Sequence, residues 1–171
     1  MSYDLYAFKL PPDADPSDYA TEVVESFDEV GEPDPSAPSV ESIVAVFRTV
    51  FPELEVAEED EESAMLLLEE RLVSIDVFPT HCDVCVSYGV PKDAAWLVGV
   101  LGRIAGAAST AGHETLFDAQ LDRPVLPELP ADAAAISEGW SDGLGFVEQM
   151  QAEHGGSSGG GGFFKKLLGR R

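Results

Sequence analysis

The chain has 171 residues, which allows one domain or two small ones, and its 44% hydrophobic content is enough for one core. Its formal charge is −22, and the only charged residues beyond position 162 are Lys165, Lys166, Arg170 and Arg171, so residues 1–162 carry −26 and the tail +4. A body of that sign argues against nucleic-acid binding and against bare anionic membrane, and it either attracts basic partners or keeps the protein soluble.

Tyr3–Leu10 is aromatic-rich and roughly alternating, a first strand stopped by Pro11-Pro12; no basic stretch leads into an apolar one, so no secretory signal is expected. Asp15-Pro16 offers an N-cap and a first-turn proline, with Tyr19, Val23 and Phe27 on one helical face. After a loop over Gly31–Pro38, Ser39 caps a second helix that buries Ile43, Phe47, Val50 and Phe51 and ends before Pro52. Glu58–Ser63 is a solvated acidic turn or a helix start. Ala64–Glu70 reads as a strand, because Leu72–Phe78 and Cys82–Gly89 after it are β-branched and alternating, a meander turning near Glu69-Glu70 and Pro79-Thr80. Pro91 opens a long helix closed at Gly112, with Gly99, Gly102 and Gly106 marking a face for close approach. The apolar run Ala94–Ala108 within it contains Arg103 and is too short to span a bilayer. A strand over Glu114–Leu121, a Pro-rich connection beyond Pro124 and a helix around Leu144–Glu153 complete the body. The order β-α-α-β-β-β-α-β-α predicts an α+β fold, with an antiparallel or mixed sheet of about five strands and helices mainly on one face. Residues 1–154 form one acidic domain, 155–162 a Gly/Ser linker and 163–171 a tail.

Two polar groups are candidates for chemistry. His81, Cys82 and Cys85 contain a C-x-x-C, a redox pair or half a zinc site in other settings. Here the pair lies inside a strand pattern, where Cys82 and Cys85 point to opposite faces, and no second C-x-x-C supplies the remaining zinc ligands. With these as the only cysteines, no disulfide framework exists. His113, Asp118 and Gln120 follow the long helix, and Asp118 and Gln120 share a strand parity that would turn both towards one groove. Strand-surface polarity accounts for that alternation equally well. No nucleophile elbow, phosphate loop or H-E-x-x-H occurs, and no catalytic residue, cofactor or metal is expected.

The opening MSYDLYAF, the acidic middle, the meander and TLFDAQLDRPV together resemble a loose group of small bacterial proteins. Members open on M-S-Y-D-L-aromatic and end the domain on a strand reading roughly aromatic-Asp-Pro-Gln; some resemble immunity proteins that neutralise secreted toxins. The resemblance covers about residues 1–125 and departs at Ala119, where the group often has proline. It carries over no site residue and implies non-enzymatic binding.

The sequence therefore points to a cytoplasmic, immunity-like module that binds a protein partner, a basic one given the charge. The alternative is a metal-dependent or thiol-based enzyme or sensor built on His81, Cys82, Cys85 and His113. The tail is the second binding element. Eight Gly and Ser residues give a coil with a root-mean-square span of roughly 16 Å. In a helix, Phe163 meets Leu167 and Phe164 meets Leu168, with Lys165 and Lys166 off that face and Arg170 and Arg171 following. Nine residues are too few to hold a helix in water, so order would come on binding. A groove on another protein, the chain's own acidic face and an anionic membrane compete as its target.

Overall fold

The computed structural model describes residues 2–25, 37–68, 71–88 and 93–154. Among these residues, seven strands and four helices follow in the order β1 (Ser2–Phe8), α1 (Pro16–Glu25), α2 (Val40–Val50), β2 (Glu55–Glu59), β3 (Ala64–Leu68), β4 (Val73–Val77), β5 (His81–Ser87), α3 (Ala94–Thr110), β6 (Thr115–Asp118), β7 (Arg123–Pro124) and α4 (Pro130–His154). The strands form one sheet in the order β2-β3-β4-β5-β1-β6-β7, with every pairing antiparallel. The α+β class holds, but the sheet has two strands more than expected, and no mixed pairing occurs. Both additions lie at sheet edges, where strand patterning is weakest. β2 shows four of its five side chains to solvent, and β7 is two residues long with a proline that only an edge tolerates.

Alternation in the four strands β1, β3, β4 and β5 assigns the two faces. Tyr3, Leu5 and Ala7, Ala64, Leu66 and Leu68, Val73, Ile75 and Val77, and Cys82, Val84 and Val86 turn one way and are buried. Over them lie α2 through Val40, Ile43, Val44 and Phe47, α3 through Leu97, Leu101 and Ile104, and α4 through Ile136 and Trp140. Among the described residues, the sheet's other face is covered by a helix only at one end, where Ala20 and Tyr19 of α1 close over Phe8 and Phe117. Three helices on one face and one on the other leave much of that second face without a covering helix among the described residues.

The helix boundaries follow from capping chemistry. Asp15 Oδ1 accepts from the backbone N–H groups of Ser17 and Asp18, Ser39 Oγ from that of Ser42, and Asp93 Oδ1 from that of Trp96, each satisfying donors that a first turn leaves without partners. α2 stops at Val50, before Phe51-Pro52, as expected, and Arg103 of α3 takes up its end: Nη2 donates to the Val50 carbonyl at 2.7 Å while the guanidinium lies over the Phe51 ring. Gly112, at φ +100°, follows the end of α3. The other glycines of α3 correct the sequence reading: a methyl group at Gly99, Gly102 or Gly106 would meet nothing, so they mark no close approach. α4 begins fourteen residues before the helix expected at Leu144. Its tight contact is at Gly143, where a side chain would overlap the Tyr88 hydroxyl, one residue past β5. The helix expected to open at Pro91 begins instead at Ala94, because Asp93, in an extended conformation, is its N-cap. The expected helical position Phe27, the turn at Glu69-Glu70 and the tail lie outside the described residues.

Candidate protein-binding face

The part of the sheet that no described helix covers carries the side chains whose strand parity points away from the core. Two cross-strand rows define it. The first runs Glu58, Met65, Asp76, Asp83, Tyr6 across β2, β3, β4, β5 and β1, and ends on Phe117 beneath α1. The second runs Glu55, Leu67, Ser74, Cys85, Asp4. Glu55 and Glu58 are exposed, Phe117 is buried, and the other eight residues of the two rows are half-buried. From β1 to β2 the patch is about 19 Å wide, four strand spacings. It alternates short acids with apolar surface from Tyr6, Met65 and Leu67.

The register brings the acids of neighbouring strands side by side. Asp76 and Asp83 stand directly opposite on neighbouring strands, an arrangement of like charge that is destabilising in a sheet. Tyr6 sits opposite Asp83, and its phenol is pushed up first by burial and then by the nearby Asp83, Asp4 and Cys85. The Cys85 thiol is pushed up chiefly by burial, with Asp4 adding to it and hydrogen bonds from Ser2 and Ser74 working the other way. At the outer corner Arg71, a residue at φ +69°, grips Glu55 with both Nε and Nη2 and neutralises that acid. The acidity continues into the β2–β3 turn, where Asp60 accepts from the Glu62 and Ser63 amides; those bonds hold its carboxyl below the usual carboxylate range.

The polar residues singled out from the sequence divide differently from the grouping their spacing suggested. Cys82 faces the helices, fully buried, and burial pushes its thiol up; Cys85 is on the opposite face. The C-x-x-C therefore does not converge, and no group of three metal-ligating side chains occurs among the described residues. His113 is not brought to Asp118 and Gln120. It joins His81 instead, both of them buried. The His81 ring stacks on Phe78 at 4.7 Å between centroids, Thr80 Oγ1 is 2.9 Å from its Nδ1, and Asp83 Oδ1 is 3.6 Å from its Nε2. Burial, helped by His113, pulls its ring down to about 4 despite the Asp83 carboxylate. Burial also lowers His113, while the nearby Phe78 backbone acts in the opposite sense.

Asp118 turns into the core, the reverse of the groove its parity suggested. The Tyr3 hydroxyl donates to Oδ2 at 2.5 Å, and Oδ1 accepts from the backbone N–H groups of Gln120 and Leu121 at 2.9 and 3.0 Å. Gln120, in the turn after β6, adds its amide to Asp118 Oδ1 and to the Asp4 backbone when its amide is oriented to satisfy both. Burial followed by the Asp118 bond raises the Tyr3 phenol strongly. This is a structural clasp that ends β6 and ties it to β1, beneath the Trp140 ring, which contacts Tyr3 edge-on and stacks on Tyr88. Sequence reasoning passed over Tyr6, Asp4, Asp76 and Asp83. Their non-core parity in YDLYAF, VSIDV and HCDVCVS was readable, but only the pairing registers place them side by side.

No model of a known family matches the chain, and no curated protein or solved structure matches it. Among the described residues no helix is long and apolar enough to cross a membrane.

Proposed function

We propose that this chain is a non-enzymatic protein-binding module, and that the uncovered acidic sheet face receives a basic segment of its protein partner. The observation that carries this reading is the row Glu58, Met65, Asp76, Asp83, Tyr6: four strands and an edge strand present carboxylates, thioether and phenol in register on a face that α1 covers only at its end. Apolar patches ringed by charge are where a partner's side chains seat, and Tyr6 offers a ring for a guanidinium to stack on. The −26 carried by residues 1–162 would speed the encounter with a basic protein more than it tightens the complex, and salt would slow it. Masking a basic toxin, as an immunity-like protein does, is the same chemistry. The thiol-based or metal-based alternative loses its support from the divergence of Cys82 and Cys85.

The test is an NMR titration of the isotope-labelled protein with a short peptide rich in arginine, lysine and phenylalanine, at low salt. Amide shifts should concentrate at Asp4, Tyr6, Met65, Asp76, Asp83 and Cys85 and fade as salt rises. Shifts spread evenly over the surface, or centred on the helices, would remove the assignment.

A further inference from the structure

The same face has a ready occupant within the chain. Gly143 of α4 lies against Tyr88, just past the end of β5 that carries Cys85, and β1 begins beside it, with Ser2 opposite Ser87 and Asp4 opposite Cys85. Leu144 and Val147 still pack on the core, so α4 runs past its last core contact only over Val147–His154, about 10 Å. From there, eight residues separate His154 from Phe163, a fully extended reach of about 27 Å. Crossing from the helix layer to the opposite side of the sheet takes about 20 Å, two layer spacings, and with the overhang the diagonal is about 22 Å. The linker is long enough, with little to spare.

The chemistry of the segment fits what it would meet. Residues 163–171 carry all the positive charge of the tail, +4, together with two phenylalanines and two leucines. As a helix they would be about 14 Å long and about 10 Å across, which the 19 Å patch accommodates. Phe163, Phe164, Leu167 and Leu168 would cover Tyr6, Met65 and Leu67, with the four bases among Asp4, Glu58, Asp76 and Asp83. We propose that residues 163–171 seat on the chain's own acidic sheet face and act as an internal competitor that a protein partner must displace. The proposal rests on the reading of that face as a binding surface. It adds that the free protein keeps the face occupied, since a tethered segment is present at millimolar effective concentration. A basic partner then has to exceed that competition, which sets a threshold against weak, nonspecific polycations.

Cys85 is a built-in reporter, half-buried on the face beside Asp4, whereas Cys82 is sealed in the core. The experiment compares alkylation of Cys85 by the neutral reagent iodoacetamide, followed by intact mass, in the full-length chain and in the full-length variant Lys165→Glu, Lys166→Glu, Arg170→Glu, Arg171→Glu. Urea unfolding of both chains separates uncovering from a change in global stability. The variant should react at least about threefold faster at low salt, and the difference should vanish near 1 M salt. Removing nearby cations disfavours the thiolate, so that effect alone would slow the variant. Equal rates in the two chains overturn the proposal, as does protection that grows with protein concentration, which would place the tail on a second copy. A synthetic peptide of residues 163–171 added to the variant keeps the two readings apart. If it slows alkylation while the attached tail does not, the face binds basic segments but is not self-occupied. If neither slows it, both readings fall.

Discussion

Lowering the pH from 7.5 to 4 charges His81 in the unfolded chain well before it does so in the folded one. The ring is 6% exposed, and burial, with His113 as a second contribution, holds it near 4 in place of 6.5. A histidine depressed by folding contributes its full stability above pH 6.5 and loses it as pH falls towards 4, because the unfolded state takes up the proton first. At about 1.4 kcal/mol per pH unit, that gap amounts to about 3.5 kcal/mol, of which about 3 kcal/mol is lost by pH 4.2, a large share of the roughly 5–15 kcal/mol by which domains are stable. The perturbation is His81→Phe, which keeps a ring against Phe78 and removes the titration. Urea unfolding of both proteins at pH 7.5, 6.0, 5.0 and 4.2 provides the assay, and titrations of the many carboxylates cancel in the comparison. The wild type should lose about 3 kcal/mol more than the variant across that range, while His113, lowered in both, leaves the variant some residual slope. Identical pH dependence would refute the argument. A wild type that gains stability relative to the variant as pH falls would show that Asp83, 3.6 Å from Nε2, outweighs burial.

Other positions give sharper structural tests. Gly143→Ala drives a methyl group into the Tyr88 hydroxyl, whose ring is held by Trp140, and should cost about 1–3 kcal/mol in chemical denaturation; Gly145→Ala, where the space is open, should be neutral or gain up to about 1 kcal/mol from helix propensity. Tyr3→Phe deprives the buried Asp118 of its hydroxyl donor and should cost about 1–3 kcal/mol, an effect that should largely disappear in an Asp118→Ala background. Asp132 accepts from the Leu126 amide and pairs with Arg123 at 2.7 Å, bonds that hold its carboxyl below the usual range; Asp132→Ala should therefore loosen the β7–α4 connection, seen as faster amide exchange at Leu126.

How much of this was readable in advance depends on how each element is stabilised. Strands with one buried face announced themselves: Tyr3, Leu5 and Ala7, or Val73, Ile75 and Val77, alternate with polar residues because the sheet has an inside and an outside. Caps were equally plain, since Asp15, Ser39 and Gly112 do local chemistry. β2 was hidden because its run of glutamates is stabilised by pairing to β3, which no local pattern encodes. The first half of α4 was hidden for a related reason. Gly139 and Gly143 depress helix propensity, and what holds the helix is Ile136 and Trp140 set into a core built from distant strands. At the candidate face, the charge of the chain was visible but its arrangement was not, because Asp4, Asp76 and Asp83 are brought together only by the β1–β5–β4 register. The pairings of β1 with β5 and β6 set His81 and Thr115 both opposite Phe8, which puts His113, just before β6, near His81, while Asp118 falls at Leu5.

The claim that the uncovered sheet face binds a basic protein segment is tested most directly by neutralising it without unfolding the protein. Asp4→Asn, Asp76→Asn and Asp83→Asn, combined with the tail charge reversal so that the face is free in both chains, should leave urea stability within about 1 kcal/mol, since all three side chains are half-buried and keep their shape. Calorimetric titration with the arginine-, lysine- and phenylalanine-rich peptide at low salt should then show at least about tenfold weaker binding than to the same chain with its aspartates intact. Equal affinity in the two chains would contradict the account, because the peptide would then be bound by acidity elsewhere on the molecule.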